Sequence, residues 1–266
     1  MDLGLTGHKA IVTGGSRGIG RATALQLARE GVDVAIVART EATNVEAARQ
    51  ISEETGRKIL ALQGDTNDTR AVEAMVRQAK SEFGHIDILV NAAAQPAGQS
   101  RPPSLMEVDE AALWAEINTK VLGYLRFIQN VVPLMKERGY GRIINISGLA
   151  ARQTGSIVGS VRNISVAAMT KNIAEELQKT GITTICVHPG LTWTEKSPQV
   201  VKARAQARGV SEEQILQEFD LANLNGKVIT AAQIADLVAF LASPRSVAIN
   251  GDVIAAGGGA RGSIHY

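Results

Sequence analysis

The residues Thr13-Gly14-Gly15-Ser16-Arg17-Gly18-Ile19-Gly20 carry the spacing that points most directly to chemistry. They follow the apolar run Ala10-Ile11-Val12 and lead into Arg21-Ala22-Thr23-Ala24-Leu25-Gln26-Leu27-Ala28. That order reads as strand, tight glycine turn, helix. Glycine permits the sharp turn and lets the backbone approach a ligand closely. The helix then aims its unsatisfied N–H groups and positive dipole end at whatever sits in the turn, usually a phosphate. A second strand further on supplies the context in which such a pattern signals a dinucleotide. Gly14, Ser16, Arg17, Gly18, Ile19 and Gly20 are therefore candidate phosphate-binding residues.

The elements that must position this turn alternate along almost the whole chain. Strands are predicted at 10–13, 33–37, 59–63, 86–91, 141–147, 183–188 and 252–255. Helices are predicted at 19–30, 45–55, 69–83, 109–138, 161–179 and 231–243. This order implies an α/β fold, a Rossmann-type doubly wound parallel sheet with helices on both faces. Ligands bind such sheets at the carboxyl ends of the strands, so the segments after each strand are the ones to read for function. At 266 residues the chain suits one domain spanning 1–266, and 45% apolar residues can fill its core. Residues 191–229 break the rhythm with two short polar helices, near 199–208 and 211–224. An insertion at a strand's carboxyl end is well placed to act as a substrate lid.

Composition excludes several classes. A net charge of +2, with no Lys/Arg run, argues against a nucleic-acid or membrane-surface partner. Cys186, the single cysteine, cannot form an internal disulfide and reads as a small buried hydrophobe. The four histidines show no metal-ligand spacing, so no metal is expected. No apolar run nears the ~20 residues that span a bilayer. The first residues lack a basic segment followed by an apolar core, so no signal peptide is expected and a cytoplasmic location follows.

The chain resembles the short-chain dehydrogenase/reductase family over essentially its whole length. Thr13-Gly14-x-x-x-Gly18-Ile19-Gly20 matches the family's glycine motif. Asp65, followed by Thr66, matches the acid expected near the adenine. Asn91, Ala92 and Ala93 stand in the segment that usually reads Asn-Asn-Ala-Gly, with two of its four positions changed. Asn118 matches the family's helix asparagine, and Pro189, Gly190 and Thr192 the segment that lines the nicotinamide. Asn250-Gly251 and Gly257-Gly258 match the C-terminal signature. The resemblance implies a nicotinamide cofactor, and the residues around it suggest which one. No Asp or Glu ends the second strand to accept the ribose 2′-OH, whereas Arg39 follows it and Arg17 lies in the glycine loop. Two guanidinium groups suit a 2′-phosphate, so NADP(H) is expected.

Hydride transfer to a carbonyl also needs a proton donor. The resemblance implies a tyrosine, a lysine one helical turn later that lowers its pKa, and a serine holding the substrate oxygen. Tyr-x-x-x-Lys occurs nowhere in the chain, and there is no tyrosine between 141 and 265. Aligning backward from Met169-Thr170-Lys171 puts Gly159 and Asn163 at the tyrosine and lysine positions; aligning forward from the strand end puts Val161 and Ser165 there. Gly148 takes the serine position, and strand alternation is expected to turn Ser147 to the other face. His188, at the end of a strand beside Pro189, has a pKa range suited to acid–base work. Asn118 is the other candidate, in a catalytic or helix-kink role. Tyr140 lies at the wrong end of its strand, Tyr124 is expected to be packed, and Arg162 either orients an acidic substrate or faces solvent. His265 and Tyr266 could reach a neighbouring subunit from the tail.

Two classes of function follow. One is an NADP(H)-dependent oxidoreductase acting on a carbonyl, alcohol or imine with a non-standard proton donor such as water or His188. The other is a catalytically inactive dinucleotide-binding sensor, scaffold or partner subunit. Non-redox chemistry on the same scaffold is a third, lesser alternative. The expected partners are a small-molecule substrate or ligand and further copies of the chain, as a dimer or tetramer formed through helices 109–138 and 161–179.

Overall fold

The computed structural model describes residues 1–95 and 102–260. The elements run β1 (Lys9–Thr13), α1 (Gly18–Arg29), β2 (Asp33–Ala38), α2 (Glu41–Thr55), β3 (Ile59–Gln63), α3 (Thr69–Phe83), β4 (Ile88–Asn91), α4 (Glu110–Glu116), α5 (Gly123–Arg138), β5 (Gly141–Ile146), α6 (Ile157–Glu176), β6 (Ile182–Pro189), β7 (Thr192–Trp193), α7 (Ser197–Arg208), α8 (Glu212–Leu221), β8 (Ile229–Thr230), α9 (Ala231–Ala242) and β9 (Val253–Ala256). Seven strands form one parallel sheet in the order β3-β2-β1-β4-β5-β6-β9. The order reverses between β1 and β4, which opens a crevice at their carboxyl ends.

The sheet is buried on both faces, as parallel sheets are. Ala10, Val12, Ile36, Val90, Ile144 and Val187 pack one way, against α1, α2 and α9. Ile11, Val37, Leu89 and Ile143 pack the other way, against α3 and α5. The alternation along each strand is what makes a near-continuous apolar run compatible with two separate cores.

The helix predicted at 109–138 is divided. Asp109 caps α4 by accepting from the Ala111 and Ala112 N–H groups, and residues Ile117–Leu122 form a π-helical turn before α5. The wider turn adds a residue locally and rotates the helix beyond it, and such turns often mark functional sites. The two polar helices of 191–229 are found as α7 and α8. They pack on each other through a small core of Val201, Ala205, Ile215 and Phe219. The two ends of the segment are joined by the short β7–β8 pairing. No helix among the described residues is long and apolar enough to cross a membrane.

At the crevice Thr13 and Asn91 lie in register. The buried Thr13 hydroxyl accepts from the Ala92 and Ala93 N–H groups at 3.0 and 3.1 Å, tying the segment after β4 to the end of β1. Thr13→Val keeps the shape but strips both donors of their acceptor, so it should lower unfolding free energy by about 2 kcal/mol. Thr13→Ser, which keeps the oxygen, should lose less. Urea unfolding of the two variants checks this.

Candidate active site

The glycine turn is built by close contact. Gly14 has φ +68°, and a Cβ there would lie 3.0 Å from the Ala92 carbonyl oxygen. A Cβ on Gly20 would lie 2.3 Å from the Gly14 carbonyl oxygen, so only glycine lets α1 start this near the turn. Arg17 occupies the N-cap position without a side-chain cap, and α1 has no acid in its first turn. Its positive end therefore stays open to an anion, apart from one contact: the Gly18 N–H donates to Glu195 Oε2 at 3.1 Å. A shallow cavity of ≈ 360 Å³ adjoins this contact, between Gly18 and Arg21 on α1 and Trp193, Thr194 and Pro198. Ser16 and Ile19 are half-buried at the turn.

Arg17 and Arg39 are both exposed. Among the described residues neither guanidinium has a hydrogen-bond or ion-pair partner. Asp65 Oδ1 accepts from the Asn67 N–H at 2.9 Å, and the buried Thr66 offers its carbonyl to Arg126. On the other side of the crevice, Pro189 ends β6, and Gly190 lies so near Gly257 that a Cβ would come within 2.9 Å of its Cα. The Thr192 hydroxyl donates to the Gly190 carbonyl at 3.0 Å. The residues read as cofactor-binding thus all lie at or beyond the carboxyl ends of β1, β2, β3, β4 and β6.

Behind them runs a buried polar chain. Asn91 Nδ2 donates to Asn145 Oδ1 at 2.9 Å, and Asn145 Nδ2 to Thr170 Oγ1 at 3.0 Å. Next to it sits Lys120, which spacing and motifs did not single out. It lies in the π-helical turn, and its ammonium donates to the Ser147 carbonyl at 2.8 Å and to Asn163 Oδ1 at 2.9 Å. A usable signal was present: Lys120 falls four residues before Tyr124, on the stripe that continues through Phe127, Ile128 and Val131, all buried. A lysine on a buried stripe needs acceptors or a lowered pKa. Here burial, then the nearby Arg162, lowers its pKa to about 7, against a smaller opposing pull from Cys186 and Glu116. Burial pushes the Cys186 thiol up to about 12, with Lys120 partly opposing.

Several expectations are corrected. Ser147 shares the sheet face of Asn145, as strand alternation requires, and its hydroxyl donates to the Asn163 carbonyl on α6 at 2.9 Å. Asn118 Oδ1 accepts from Arg126 at 2.8 Å, and the same guanidinium donates to the Thr66 carbonyl. Arg162 does not face solvent. It is buried and paired with Glu116, since a charge taken out of water needs a counter-charge. His188 lies at the carboxyl edge of β6 as expected, but is buried with Nδ1 3.7 Å from Cys186 Sγ. Tyr124 is packed, donating to the Ile146 carbonyl, and burial raises its pKa. Tyr140 stacks against His8 and Arg142 at the opposite edge of the sheet. Gly159 lies in the first turn of α6, donating to Ser156 Oγ, and Gly148 is extended beside Asn163. His265 and Tyr266 lie outside the described residues. Among the described residues no group of three or more His, Cys, Asp or Glu side chains could hold a metal ion.

Lys120 also leaves a thermodynamic mark. Its folded pKa is near 7 and its ordinary value 10.5. Between these the unfolded chain binds more protons, so Lys120 makes the fold gain stability as pH rises through that window. Lys120→Met should flatten this component by up to about 1.4 kcal/mol per pH unit. Denaturant midpoints of the two proteins across the window check the sign.

Comparison with known proteins agrees with this architecture. Residues 8–205 match the family model described as short chain dehydrogenase. The chain is 34% identical to the 3-oxoacyl-(acyl-carrier-protein) reductase FabG of Staphylococcus aureus, covering 94% of this chain and 96% of that protein. It is 29% identical to the NADPH-dependent reductase BacG of Bacillus subtilis, over 96% of this chain and 98% of that protein. Among solved structures, L-sorbose reductase from Gluconobacter frateurii, complexed with NADPH and L-sorbose, superposes with a TM-score of 0.93 at 29% identity, covering 99% of this chain and 100% of that one. With its glycine turn, seven-stranded parallel sheet and full-length relatives, the chain belongs to the short-chain dehydrogenase family of oxidoreductases.

Proposed function

We propose that the chain is an NADP(H)-dependent reductase of a small carbonyl or imine compound that uses a non-standard proton donor. The observation that carries the reading is the open N-terminus of α1, flanked by two exposed, unpartnered arginines. The site fits the cofactor: the glycine contacts leave no room for side chains where the backbone must approach a pyrophosphate. Gly14, Ser16, Gly18, Ile19 and Gly20 would hold the pyrophosphate, with Arg17, from within the same turn, and Arg39 on the 2′-phosphate. Asp65 and Thr66 would face the adenine, and Asn91, Ala92, Ala93, Pro189, Gly190 and Thr192 the nicotinamide side. Its relatives' use of NADPH supports the same choice.

When bound, the cofactor supplies the hydride. The chain's own part is to orient the substrate and see a proton delivered to its oxygen or nitrogen. In this reading Gly148, Gly159 and Asn163 stand where relatives place serine, tyrosine and lysine, so no side-chain hydroxyl at those positions gives the proton. Water, or His188 at the edge of β6, takes that role. Residues 191–229 serve as the lid. Trp114, Leu122, Val161 and Ile164, exposed on the α4–α6 side, are the face through which copies would associate in a dimer or tetramer. The competing reading, a dinucleotide-binding protein without turnover, draws on the same glycines and on Asn163 in the lysine position.

Direct tests separate the two. NADPH should bind at least tenfold more tightly than NADH, and Arg17→Ala or Arg39→Ala should each weaken NADPH by roughly tenfold while leaving NADH unchanged. Nicotinamide absorbance with a 3-oxoacyl thioester, L-sorbose and a cyclic imine should show oxidation of NADPH. Tight binding with no turnover across that panel would establish the binding-protein reading. If His188 gives the proton, His188→Ala abolishes turnover; if water does, activity persists.

The Glu195 carboxylate holds the Gly18 N–H that a cofactor phosphate would claim, so binding must displace it. Glu195→Gln should therefore tighten NADPH roughly two- to fivefold at low ionic strength. Titration calorimetry of the two proteins measures the difference.

A further inference from the structure

We propose that the Asn163 carboxamide is the hydrogen-bond donor that holds the substrate oxygen, and that Lys120 is the positioning residue that turns its N–H groups toward Gly148. This deepens the reductase reading and rests on it. Gly148, at the end of β5, leaves a gap: a Cβ there would lie 3.0 Å from Asn163 Nδ2. The amide nitrogen thus borders the volume that a side chain at 148 would occupy. It has no acceptor among the described residues and is not sealed from solvent. An oriented donor with nothing to donate to, at the carboxyl edge of the sheet, is suited to an incoming oxygen.

The direction of the amide is chemically determined. An ammonium has three donors and no acceptor, so it can meet only Oδ1, and Nδ2 must face the other way. Lys120 binds Oδ1 and the Ser147 carbonyl, while the Ser147 hydroxyl binds the Asn163 carbonyl. These three bonds hold α6, the π-helical turn and the end of β5 in one arrangement. The cation also polarises the carboxamide and makes its N–H groups stronger donors.

Loss of the Lys120 proton removes both effects. A neutral amine carries a lone pair and can accept from Nδ2, so the amide is free to reverse. Burial places that change near pH 7. The charged and titratable groups around Lys120 are Glu116 on α4, its partner Arg162 on α6, Tyr124 on α5, and Cys186 with His188 on β6; Arg152 acts on Cys186. Arg162 lowers the affinity of Lys120 for its proton, and Glu116 raises it.

The test uses isobutyramide, a carbonyl compound that hydride does not reduce, added to the ¹⁵N-labelled protein with NADP⁺ bound. The Asn163 side-chain amide signals should move on addition. Affinity should fall roughly tenfold from one pH unit below the Lys120 pKa to one unit above it, a loss matching one charged hydrogen bond. Lys120→Met should bind weakly at every pH, and both Asn163→Leu and Asn163→Asp should lose binding while retaining NADP⁺. For any carbonyl the wild type reduces, Asn163→Leu should lower kcat/KM about a hundredfold. The pH profile of kcat/KM should bend near 7 in the wild type and be flat in Lys120→Met. Asn163 signals that ignore isobutyramide, or a response identical in Lys120→Met, would overturn the proposal. If no carbonyl is reduced, the reductase reading fails alone, and the isobutyramide measurement still decides the role of Asn163.

Discussion

The site depends on the tie between the carboxyl ends of β1 and β4. Two parallel strands that diverge there leave backbone N–H groups with no neighbouring strand to pair with, and buried donors must be satisfied. The Thr13 hydroxyl takes two of them, from Ala92 and Ala93. That draws the segment after β4 against Gly14, within the distance that only a residue without a side chain permits. The anion-ready end of α1 and the rim of the crevice are thereby placed by one interaction. Asn91, one residue earlier, carries the same tie inward through Asn145 to Thr170 on α6.

From that chain the interior changes character. Most of the sheet is sealed by aliphatic side chains on both faces, but the sector under the carboxyl end of β5 is polar. Lys120, Ser147, Asn163, Cys186 and His188 crowd there, with the Arg162–Glu116 pair beside them. Such a cluster costs desolvation energy that an apolar core would avoid. Lys120 meets the cost in two ways, through two acceptors and through a lowered pKa. Glu116 meets it for Arg162 by neutralising its charge.

The segment 191–229 shows the same economy at the surface. Its two helices carry their own small core, its ends pair with each other through β7 and β8, and the Glu195 carboxylate reaches the N-terminus of α1. Glu195 lies where an anion would be welcome, because the end of α1 is positive whether or not a ligand is present.

The amino-acid sequence by itself determined the architecture and the glycine turn that opens α1. Alternating apolar runs and helical stripes specify a doubly wound sheet, and the glycine spacing after the first strand specifies the turn, because both are local consequences of backbone sterics and periodicity. The positions of Arg17 and Arg39 were legible for the same reason: each sits beside a strand end whose place in the fold follows from order alone. Only the tertiary structure decided the rest. Ser147, Asn163 and Lys120 lie on three elements far apart in sequence, and their contacts are set by how the π-helical turn and α6 pack against β5. A one-residue widening of a helix rotates everything after it, and no spacing rule anticipates that rotation. Asn118 is held by Arg126, while Lys120, two residues later in the same turn, is the side chain that meets Asn163.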